Sequence, residues 1–488
     1  MAWRYRPVSE CPLTFDVVVV GAGPAGLAAA CAAAESSPRV ALVDESPWLG
    51  GQIWRGQAGY GDIPIPNGEP DQAAGGDTLA ASPDPEAQRR FTRFRDSGAT
   101  LLARTSVIAA PETGLLLAEQ DGTPRQIRWQ RLVLATGARE LFLPFPGWTL
   151  PGILGPGGLQ ALVKNGWAIS EQRVLLAGSG PLLLAVAEGL RQHGARILGI
   201  IEQAPRSKVL SFGLGLWRHP AKLWQAARLK LGLAGAPYRC GAWPVLAEGD
   251  CQVRSVTLTN GKETWQEECD YFACGFGLVP NVELPLALGC ELRDGFVRAD
   301  TWQATTVQNV FCAGEPTGIG GADCALAEGQ IAGYAATEQT ARAQRLFASR
   351  ASWHHFRTAL ADAFALRSEL ASLAADDTVL CRCEDVTLGQ MRRFNTWREA
   401  KLQTRCGMGA CQGRTCGAAA NVALGWGMES VRPPVLPVRV QSLISESLCT
   451  QNSAASSLSC GHSASCLEGI SPPRSLAPGG RTTRETIN

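Results

Sequence analysis

The stretch "FDVVVVGAGPAGLAAACAAA", from Phe15 to Ala34, decides the fold of this chain. A run of valines is followed by glycines, a proline and small residues. The stretch is about as long and as apolar as a membrane span. Its glycines and Pro24 instead favour a buried parallel strand, a tight turn and a helix of small residues packed on that strand. We therefore predict the first unit of an α/β domain and no transmembrane segment.

The turn in this stretch has the G-x-G-x-x-G spacing of a dinucleotide-binding loop. The first glycine permits the tight turn, the second lets the backbone approach a pyrophosphate, and the third lets the helix lie close to the strand. The next apolar segment, "RVALVDES", ends in two acids suited to a ribose hydroxyl, and we favour the first of them. The competing interpretation is a structural glycine turn beside a surface acid. The predicted nucleotide-binding residues are Gly21, Gly23, Pro24, Ala25, Gly26, Asp44 (favoured) and Glu45.

The segment "VLLAGSGPLLLAVAEGLRQHGARILGIIE", from Val174 to Glu202, repeats the order of strand, glycine turn, helix and strand. Gly178 and Gly180 are present, but Leu183 takes the place of the third glycine. If a ligand binds, Glu202 favours NAD or another adenine nucleotide over NADP. A fold that persists without its ligand remains an open alternative.

Five cysteines lie close together near the C-terminus, in "CRCEDVTLGQ" and "TRCGMGACQGRTCG". Four thiolates suit tetrahedral zinc or an iron–sulfur cluster. A C-x-C pair is unusual for structural zinc, and nearby basic residues and glycines suit an anionic cluster. We therefore favour a two-iron cluster and leave zinc as the alternative. The predicted ligands are Cys381, Cys383, Cys411 and Cys416.

Composition excludes several classes of function. The chain has 488 residues, 45% of them hydrophobic, and a formal net charge of +1. No overall field recruits nucleic acid or an anionic membrane, so partners must be recognised locally. The start "MAWRYRPVSECPL" lacks a secretory signal, so we expect a cytoplasmic protein whose 17 cysteines are not disulfides.

Three segments resemble the diagnostic segments of flavoproteins with two dinucleotide domains. They are "GGQIWR" (Gly50 to Arg55), "LVLATGA" (Leu132 to Ala138) and "NVFCAGEPTGIGGADCALAEGQIAG" (Asn309 to Gly333). The resemblance implies FAD, with a glutamate here in place of the aspartate that lies by the ribityl chain in that family. The chain has no C-x-x-C pair, so we do not expect a thioredoxin or glutathione reductase. The further FAD contacts that the resemblance implies are Gly51, Gln52, Thr136, Gly137, Gly314 and Glu315.

The segment "LFLPFPGWTLPGILGPGGLQALVKNG", from Leu141 to Gly166, completes a second resemblance. With "GGQIWR" and the C-terminal cysteines, it is similar to the FAD-containing α-type subunit of multi-subunit dehydrogenases that oxidise amino acids and imino acids. These include opine oxidases, D-hydroxyproline and proline dehydrogenases and hydrogen cyanide synthase. The likeness runs from about Asp16 to about Pro437. The cysteine segments resemble a bacterioferritin-associated-ferredoxin-type [2Fe-2S] domain, which leaves Cys406 spare.

That resemblance implies an electron-transferring subunit with FAD and a [2Fe-2S] cluster. A second flavoprotein subunit would carry the substrate site. A downstream electron acceptor, a small ferredoxin-like subunit and peripheral membrane association through partners are left open. We assign no catalytic residue, because His193, His219, His354 and His355 are isolated in sequence. One alternative is a self-sufficient NADH-dependent reductase feeding a ferredoxin-like acceptor. Another makes the cysteine region an assembly or iron-handling module.

The fold prediction is an α/β protein with two Rossmann-like dinucleotide-binding domains, the second inserted in the first, and a small C-terminal helical [2Fe-2S] domain. The FAD-binding domain is predicted at residues 14–165 and 281–340, and the NAD-like domain at 166–280. A helical connector follows at 341–377, the [2Fe-2S] domain at 378–437 and a disordered tail at 438–488. A mobile loop is predicted at 56–86.

Overall fold

The computed structural model describes residues 12–55, 84–427 and 431–442. The predicted loop lies outside this part of the chain up to residue 83, and the predicted tail lies outside it beyond residue 442.

The first sheet is built around the valine-rich strand. Its first part contains, in chain order, β1 (Leu13–Val20), α1 (Pro24–Ala34), β2 (Val40–Val43), α2 (Pro85–Asp96), β3 (Thr100–Leu102), β4 (Thr105–Glu112), β5 (Leu115–Gln120) and β6 (Thr123–Leu134). The strand order is β3-β2-β1-β6-β5-β4. Strand β1 is parallel to both β2 and β6, and β4 and β5 run antiparallel beyond β6. Val17, Val18 and Val19 are buried, as expected for a strand covered on both faces.

A second sheet follows without interruption in the chain. Its region contains β7 (Ala138–Glu140), β8 (Ile153–Leu154), α3 (Pro156–Lys164), β9 (Arg173–Gly178), α4 (Leu182–Gln192), β10 (Arg196–Glu202), α5 (Arg206–Gly215), α6 (Pro220–Gly232), β11 (Tyr238–Cys240), β12 (Trp243–Glu248), β13 (Ser255–Thr259), β14 (Thr264–Glu268), β15 (Tyr271–Gly275) and β16 (Leu278–Pro280). The parallel order is β11-β10-β9-β15-β8. Strands β12 to β14 form an antiparallel sheet, and β16 pairs with β7.

The division between the two sheets differs from the predicted boundary at residue 165. Strand β8 pairs with β15, and Leu159 and Val163 of α3 pack in the core of the second sheet. Residues 153–164 therefore lie with the second sheet, because a strand of two residues is too short to be recognised from its sequence pattern.

The chain then returns to the first sheet. This part contains α7 (Glu283–Ala287), β17 (Leu292–Arg293), β18 (Phe296–Val297), β19 (Val310–Cys312) and α8 (Gly321–Ala336). Strand β19 is parallel to β6, and α8 packs along α1. The packing is close because Gly329 and Gly333 face the backbone of α1. A Cβ on Gly329 would lie 2.1 Å from the carbonyl oxygen of Ala25.

The last part of the described chain is mainly helical. It contains α9 (Thr340–Gln344), α10 (Phe347–Ala363), β20 (Val379–Cys381), β21 (Val386–Thr387), α11 (Leu388–Met391), α12 (Trp397–Thr404) and α13 (Cys416–Leu424). Strands β20 and β21 and helices α11 to α13 enclose a small core of their own, which includes Leu380, Leu388 and Met391. None of the helices in residues 12–55, 84–427 and 431–442 is long and apolar enough to cross a membrane.

Residues 431–442 fold back onto the first sheet. The amide of Val435 donates to the carbonyl of Ile108 at 2.8 Å, and Val438 packs against Ile108 and Leu117. The first residues of the predicted disordered tail are therefore packed, because Val438 supplies an apolar contact that the polar composition of the rest of the tail obscures.

Candidate flavin and cysteine sites

The first glycine loop has the backbone geometry that its spacing predicts. Gly21 has φ +106°, and a Cβ there would lie 2.2 Å from the carbonyl oxygen of Ala135. A Cβ on Gly26 would lie 1.7 Å from the carbonyl oxygen of Gly21. Around Gly23, by contrast, no atom of the described residues lies within 4 Å of a Cβ position. The outer glycines thus close the turn against the protein, and the middle one leaves open space at the N-terminus of α1, where a phosphate binds well.

Asp44 joins the end of β2 to this loop. Its carboxylate accepts from the amide of Ala22 at 2.6 Å and from that of Ser46 at 2.7 Å. Burial raises the pKa of Asp44, and burial followed by the charge of Asp44 raises the pKa of Glu45. The position fits the predicted ribose contact because the carboxylate is held beside the phosphate-binding turn.

The "GGQIWR" segment lies on the open side of the loop. The amide of Gly50 donates to the carbonyl of Ala22 at 2.9 Å. Gly51 has φ +56°, and a Cβ there would lie 2.9 Å from the Cα of Gly23. Gln52 is exposed next to this contact. The structure therefore brings Gly51 and Gln52 to the same space that Gly23 leaves open.

Thr136 and Gly137 mark the place where the chain leaves the first sheet. The Thr136 hydroxyl donates to the carbonyl of Asn281 at 2.7 Å, and the Asn281 amide side chain donates back to the carbonyl of Thr136 at 2.8 Å. Gly137 has φ +68°. The outgoing and returning crossings between the sheets are thus tied together at the predicted Thr136–Gly137 contact.

Glu315 carries an oxygen whose hydrogen-bonding capacity is unused. Its Oε1 accepts from the amide of Gly321 at 3.1 Å, whereas Oε2 is buried and has no hydrogen-bond partner among the described residues. Burial raises the pKa of Glu315 to about 7. A buried acceptor requires a donor, and a hydroxyl of the ribityl chain of FAD has the right chemistry. The glycine loop, Asp44 and Glu315 together fit FAD.

Sequence reasoning missed Glu328. This residue is only 1% exposed, and its Oε2 accepts from the amide of Gly314 and from the Thr317 hydroxyl, both at 2.8 Å. Its Oε1 lies 2.8 Å from Nε2 of His354. The inference that His354 is isolated was therefore wrong, because α10 packs on α8 and brings two residues distant in sequence into contact.

Cys324 completes a trio with Glu328 and His354 whose potential ligand atoms lie within 4.8 Å of one another. The Arg357 guanidinium lies 3.5 Å from the same Glu328 oxygen that contacts His354. A nearby cation and carboxylate oxygens already engaged in hydrogen bonds disfavour a metal ion. We interpret the trio as a network that satisfies a buried carboxylate and holds Gly314 in place.

The second glycine loop has a different environment. Gly180 has φ +97° and faces open space, but Leu183 is buried at the third position. Glu202 is 0% exposed, and its carboxylate accepts from the amides of Gly180 at 2.8 Å and Ala204 at 2.9 Å. Burial raises the pKa of Glu202 to about 7. Gly178, with φ +137°, packs against Gly275.

The connector after α10 reaches this second loop. Ser179 donates from its hydroxyl to the carbonyl of Phe364 at 3.1 Å, and Gln203 donates from Nε2 to the carbonyl of Ala365 at 3.1 Å. The amide of Arg367 donates to Oε1 of Gln203 at 3.2 Å. The chain's own connector therefore occupies hydrogen-bonding groups beside Gly180.

A cavity of about 2570 Å³ lies between the two dinucleotide-type loops and the connector. Glu315 and Gly318 line it on the first side, and Gly180 and Phe364 on the second. Glu140 also faces it, with its carboxylate accepting from the amide of Gly157 at 2.7 Å. The cavity exceeds the usual size of a small-molecule site.

The five C-terminal cysteines form one connected group. The sulfurs of Cys381, Cys406 and Cys416 lie within 4.8 Å of one another, and all three residues are buried. The Cys411 thiol interacts with those of Cys416 and Cys383, and the hydrogen bond from Cys416 lowers the pKa of Cys411 to about 4. The structure thus brings the predicted ligands together but also places Cys406, predicted to be spare, in their midst. Spacing alone did not reveal how the chain returns from α12.

The cysteine region is anchored to the strand that follows Gly137. Arg139 donates from Nε to the carbonyl of Arg414 at 2.9 Å, and its Nη1 pairs with Glu283 at 2.9 Å. On the neighbouring loop, the indole of Trp148 donates to the carbonyl of Val379 at 2.6 Å. The predicted flavin and cysteine sites are therefore joined through only a few residues.

The family model described as pyridine nucleotide-disulphide oxidoreductase matches residues 15–329. The chain belongs to this family. It is also 31% identical over 439 residues to the hydrogen cyanide synthase subunit HcnB of Pseudomonas aeruginosa strain PAO1, covering 82% of this chain and 90% of that protein. One of the opine oxidase subunits of Rhizobium meliloti strain 1021 is 32% identical over 463 residues, covering 87% of this chain and 97% of that protein. The predicted resemblance to these subunits is confirmed, and the chain is an FAD-dependent oxidoreductase.

Solved structures agree with the fold. The L-proline dehydrogenase from P. horikoshii superposes with a TM-score of 0.59 at 19% identity, covering 88% of this chain and 80% of that one. The thioredoxin reductase of T. acidophilum gives a TM-score of 0.50 at 20% identity, covering 67% of this chain and 99% of that one. At such low identities these likenesses concern the fold.

Proposed function

We propose that this protein is the electron-transferring FAD/[2Fe-2S] subunit of a dehydrogenase that oxidises an amino or imino acid, D-hydroxyproline-like or opine-like, at a partner subunit. The observation that carries the proposal is the docking of the cysteine region through Arg139, two residues after Gly137. The named functions of the relatives, which belong to hydrogen cyanide synthase and opine oxidase, support the substrate class and an assembly of several subunits.

Each group of residues has a role in this proposal. FAD exchanges electrons in pairs or singly and a [2Fe-2S] cluster carries one at a time, so the two together suit a passage from a two-electron donor to a one-electron acceptor. Gly21, Gly23 and Gly26 would hold the pyrophosphate at the N-terminus of α1. Asp44 would bind a ribose hydroxyl, and Oε2 of Glu315 would accept from the ribityl chain.

We assign the cluster ligands to Cys381, Cys383, Cys411 and Cys416. Gly409 supports the inclusion of Cys383, because a Cβ at that glycine would lie 2.3 Å from the Cys383 Cβ. Backbone that comes this close to a ligand can direct its amides toward sulfur. The competing set exchanges Cys383 for Cys406, whose burial beside Cys381 and Cys416 makes it the one credible substitute.

A partner that carries the substrate site is consistent with the way two histidines are engaged. His354 is bound to Glu328, and His219 stacks on Trp353 with ring centroids 4.8 Å apart. Neither is free to act as a base in the cavity. A separate subunit would then oxidise the substrate, and this chain would forward the electrons.

The self-sufficient NADH reductase is less well supported. The connector engages Ser179 and Gln203 beside the second glycine loop, and Glu202 already uses both carboxylate oxygens. An incoming NAD ribose would have to displace these hydrogen bonds. We therefore propose that the second loop serves the fold, or an adenine nucleotide, rather than hydride delivery.

The visible spectrum of the purified chain, with iron, zinc and acid-labile sulfide analysis, tests the proposal. We expect flavin absorption with iron and sulfide in equal amounts, and no loss of flavin absorption on anaerobic addition of NADH. Zinc without iron would refute the relay. Rapid flavin bleaching by NADH would instead support the reductase. A Cys251→Ala variant, which alters an exposed cysteine outside the group, is the matched control.

A further inference from the structure

Helices α5 and α6 present apolar side chains to solvent. Among the residues that the structure describes, large exposed hydrophobic side chains concentrate between Leu210 and Leu231. Leu214 is 77% exposed and Trp217 is 68% exposed. We call this surface the α5–α6 face, and it consists of Leu210, Leu214, Trp217, Leu223, Trp224 and Leu231. Solvent exposure of so many large apolar groups in one place marks a binding surface.

The opposite side of the helix pair already packs on the protein. Phe212 contacts Phe356 and Phe364, with ring centroids 5.7 and 5.4 Å apart. His219 stacks on Trp353 of α10. Leu210, Leu214 and Trp217, spaced four and three residues apart, lie along one helical stripe away from these contacts. The exposed side chains are therefore additional to those that hold the helices in place.

The charge of this segment has one sign. No aspartate or glutamate occurs between Glu202 and Glu248, while α5, α6 and the turn between them hold six basic residues. Arg218 lies over the ring of Trp217 and Arg228 over that of Trp224, at 5.3 and 5.7 Å from the ring centroids. The basic residues are Arg206, Lys208, Arg218, Lys222, Arg228 and Lys230.

We propose that the α5–α6 face binds the surface of an anionic phospholipid bilayer. Leucine and tryptophan mixed with lysine and arginine, and free of acids, are typical of segments that lie in the membrane interface. A protein partner is less well matched, because protein interfaces are enriched in aromatic residues but depleted of lysine. The formal net charge of +1 does not oppose local binding, because attraction to anionic lipid acts only within about 10 Å.

Flotation of the full-length flavin-containing chain with vesicles tests this. The vesicles are phosphatidylcholine with or without about 30% phosphatidylglycerol. We expect binding to the anionic vesicles that falls at least about tenfold between about 0.1 and 0.5 M NaCl, since screening weakens the basic contribution. Neutral vesicles should bind at least about tenfold less.

Variants separate the apolar and the basic contributions. Trp217→Ser with Trp224→Ser should lower the partition coefficient at least about tenfold. Trp167→Ser, at another exposed tryptophan, should change it less than about twofold. Arg218→Gln with Arg228→Gln should lower binding to anionic vesicles by about tenfold or more. Lys262→Gln with Arg293→Gln, at exposed sites elsewhere, should not.

Several results would overturn the proposal. They are equal binding to neutral and anionic vesicles, no binding to either, or equal loss in the Trp167→Ser control. Sedimentation velocity tests a different occupant. A wild-type dimer that becomes monomeric in the Trp217→Ser, Trp224→Ser variant, without vesicle binding, would assign the face to a second copy. Unchanged flavin absorption and melting temperature of each variant would show that it is folded.

Discussion

Arg139 donates a hydrogen bond to the backbone carbonyl of Arg414 at 2.9 Å and thereby fixes the loop between Cys411 and Cys416 against strand β7. The same guanidinium pairs with Glu283 and donates to Oδ1 of Asn281 at 2.7 Å. One side chain therefore connects the crossing between the two sheets with the cysteine region.

Replacing Arg139 should destabilise the protein more than a surface arginine does. Arg139→Gln leaves Glu283 as a buried carboxylate without its cation, which should cost about 2–4 kcal/mol. Arg131→Gln, which breaks an exposed pair with Glu338, should cost less than about 0.5 kcal/mol. Urea unfolding followed by fluorescence measures both variants. Equal losses would show that Arg139 does not hold the interface together.

The two candidate ligand sets can be separated by single alanines. We expect Cys383→Ala to lower bound iron and sulfide below about half of the wild-type values, because a thiolate ligand is lost. Cys406→Ala should retain nearly all of both. The reverse result would replace Cys383 with Cys406 in the site. Metal analysis and visible absorption of the two variants, purified together, provide the measurement.

Glu315 should contribute to flavin affinity through its unpaired Oε2. Loss of a hydrogen bond to a charged acceptor costs about 1.5–3 kcal/mol, so Glu315→Ala should weaken FAD binding by about tenfold or more. Glu315→Asp restores the acid of the resembling flavoproteins and should remain within about threefold. Flavin fluorescence titration of the flavin-free proteins gives the affinities. Equal weakening by alanine and aspartate would mean that the carboxylate only fills space.

Close packing of α8 on α1 depends on the absence of a side chain at Gly329. Gly329→Ala places a methyl group 2.1 Å from the carbonyl oxygen of Ala25 and should cost about 1–3 kcal/mol. Gly213→Ala is the matched control, because that helical glycine faces open space and alanine should stabilise the helix by about 0.5–1 kcal/mol. Thermal melts of both variants should therefore shift in opposite directions. A stabilised Gly329→Ala protein would contradict the packing described here.

Glu202 should make stability depend on pH. Its pKa is about 7 in the folded protein and ordinarily 4.5, so the folded state binds more protons than the unfolded state between those values. Stability should therefore fall as pH rises from about 4.5 to 7 and then level off. Glu202→Gln removes this dependence, so the difference between the two proteins in urea midpoint should change across that window. Parallel curves for the two proteins would refute the assignment.

The local parts of the flavin site could be predicted from the sequence. The geometry of Gly21, Gly23 and Gly26 follows from a strand, a turn and a helix within a single segment, and Asp44 is the first acid after the next strand. The contact between Glu328 and His354 could not be predicted, because it depends on how α10 packs on α8. The position of Cys406 depends likewise on the path of the chain after α12, about which a spacing rule says nothing.

Interruption of the first sheet by the second has a consequence for synthesis. Strand β6 pairs at Leu132 with Val310 of β19, a residue made about 180 positions later. Residues 138–280, in contrast, form their sheet from one continuous segment. At about 5–20 residues per second, a ribosome delivers β19 roughly 10–40 s after β6. The nascent chain should therefore complete its central region first, while the valine-rich strand waits with an apolar edge uncovered, a period in which chaperones have most to protect.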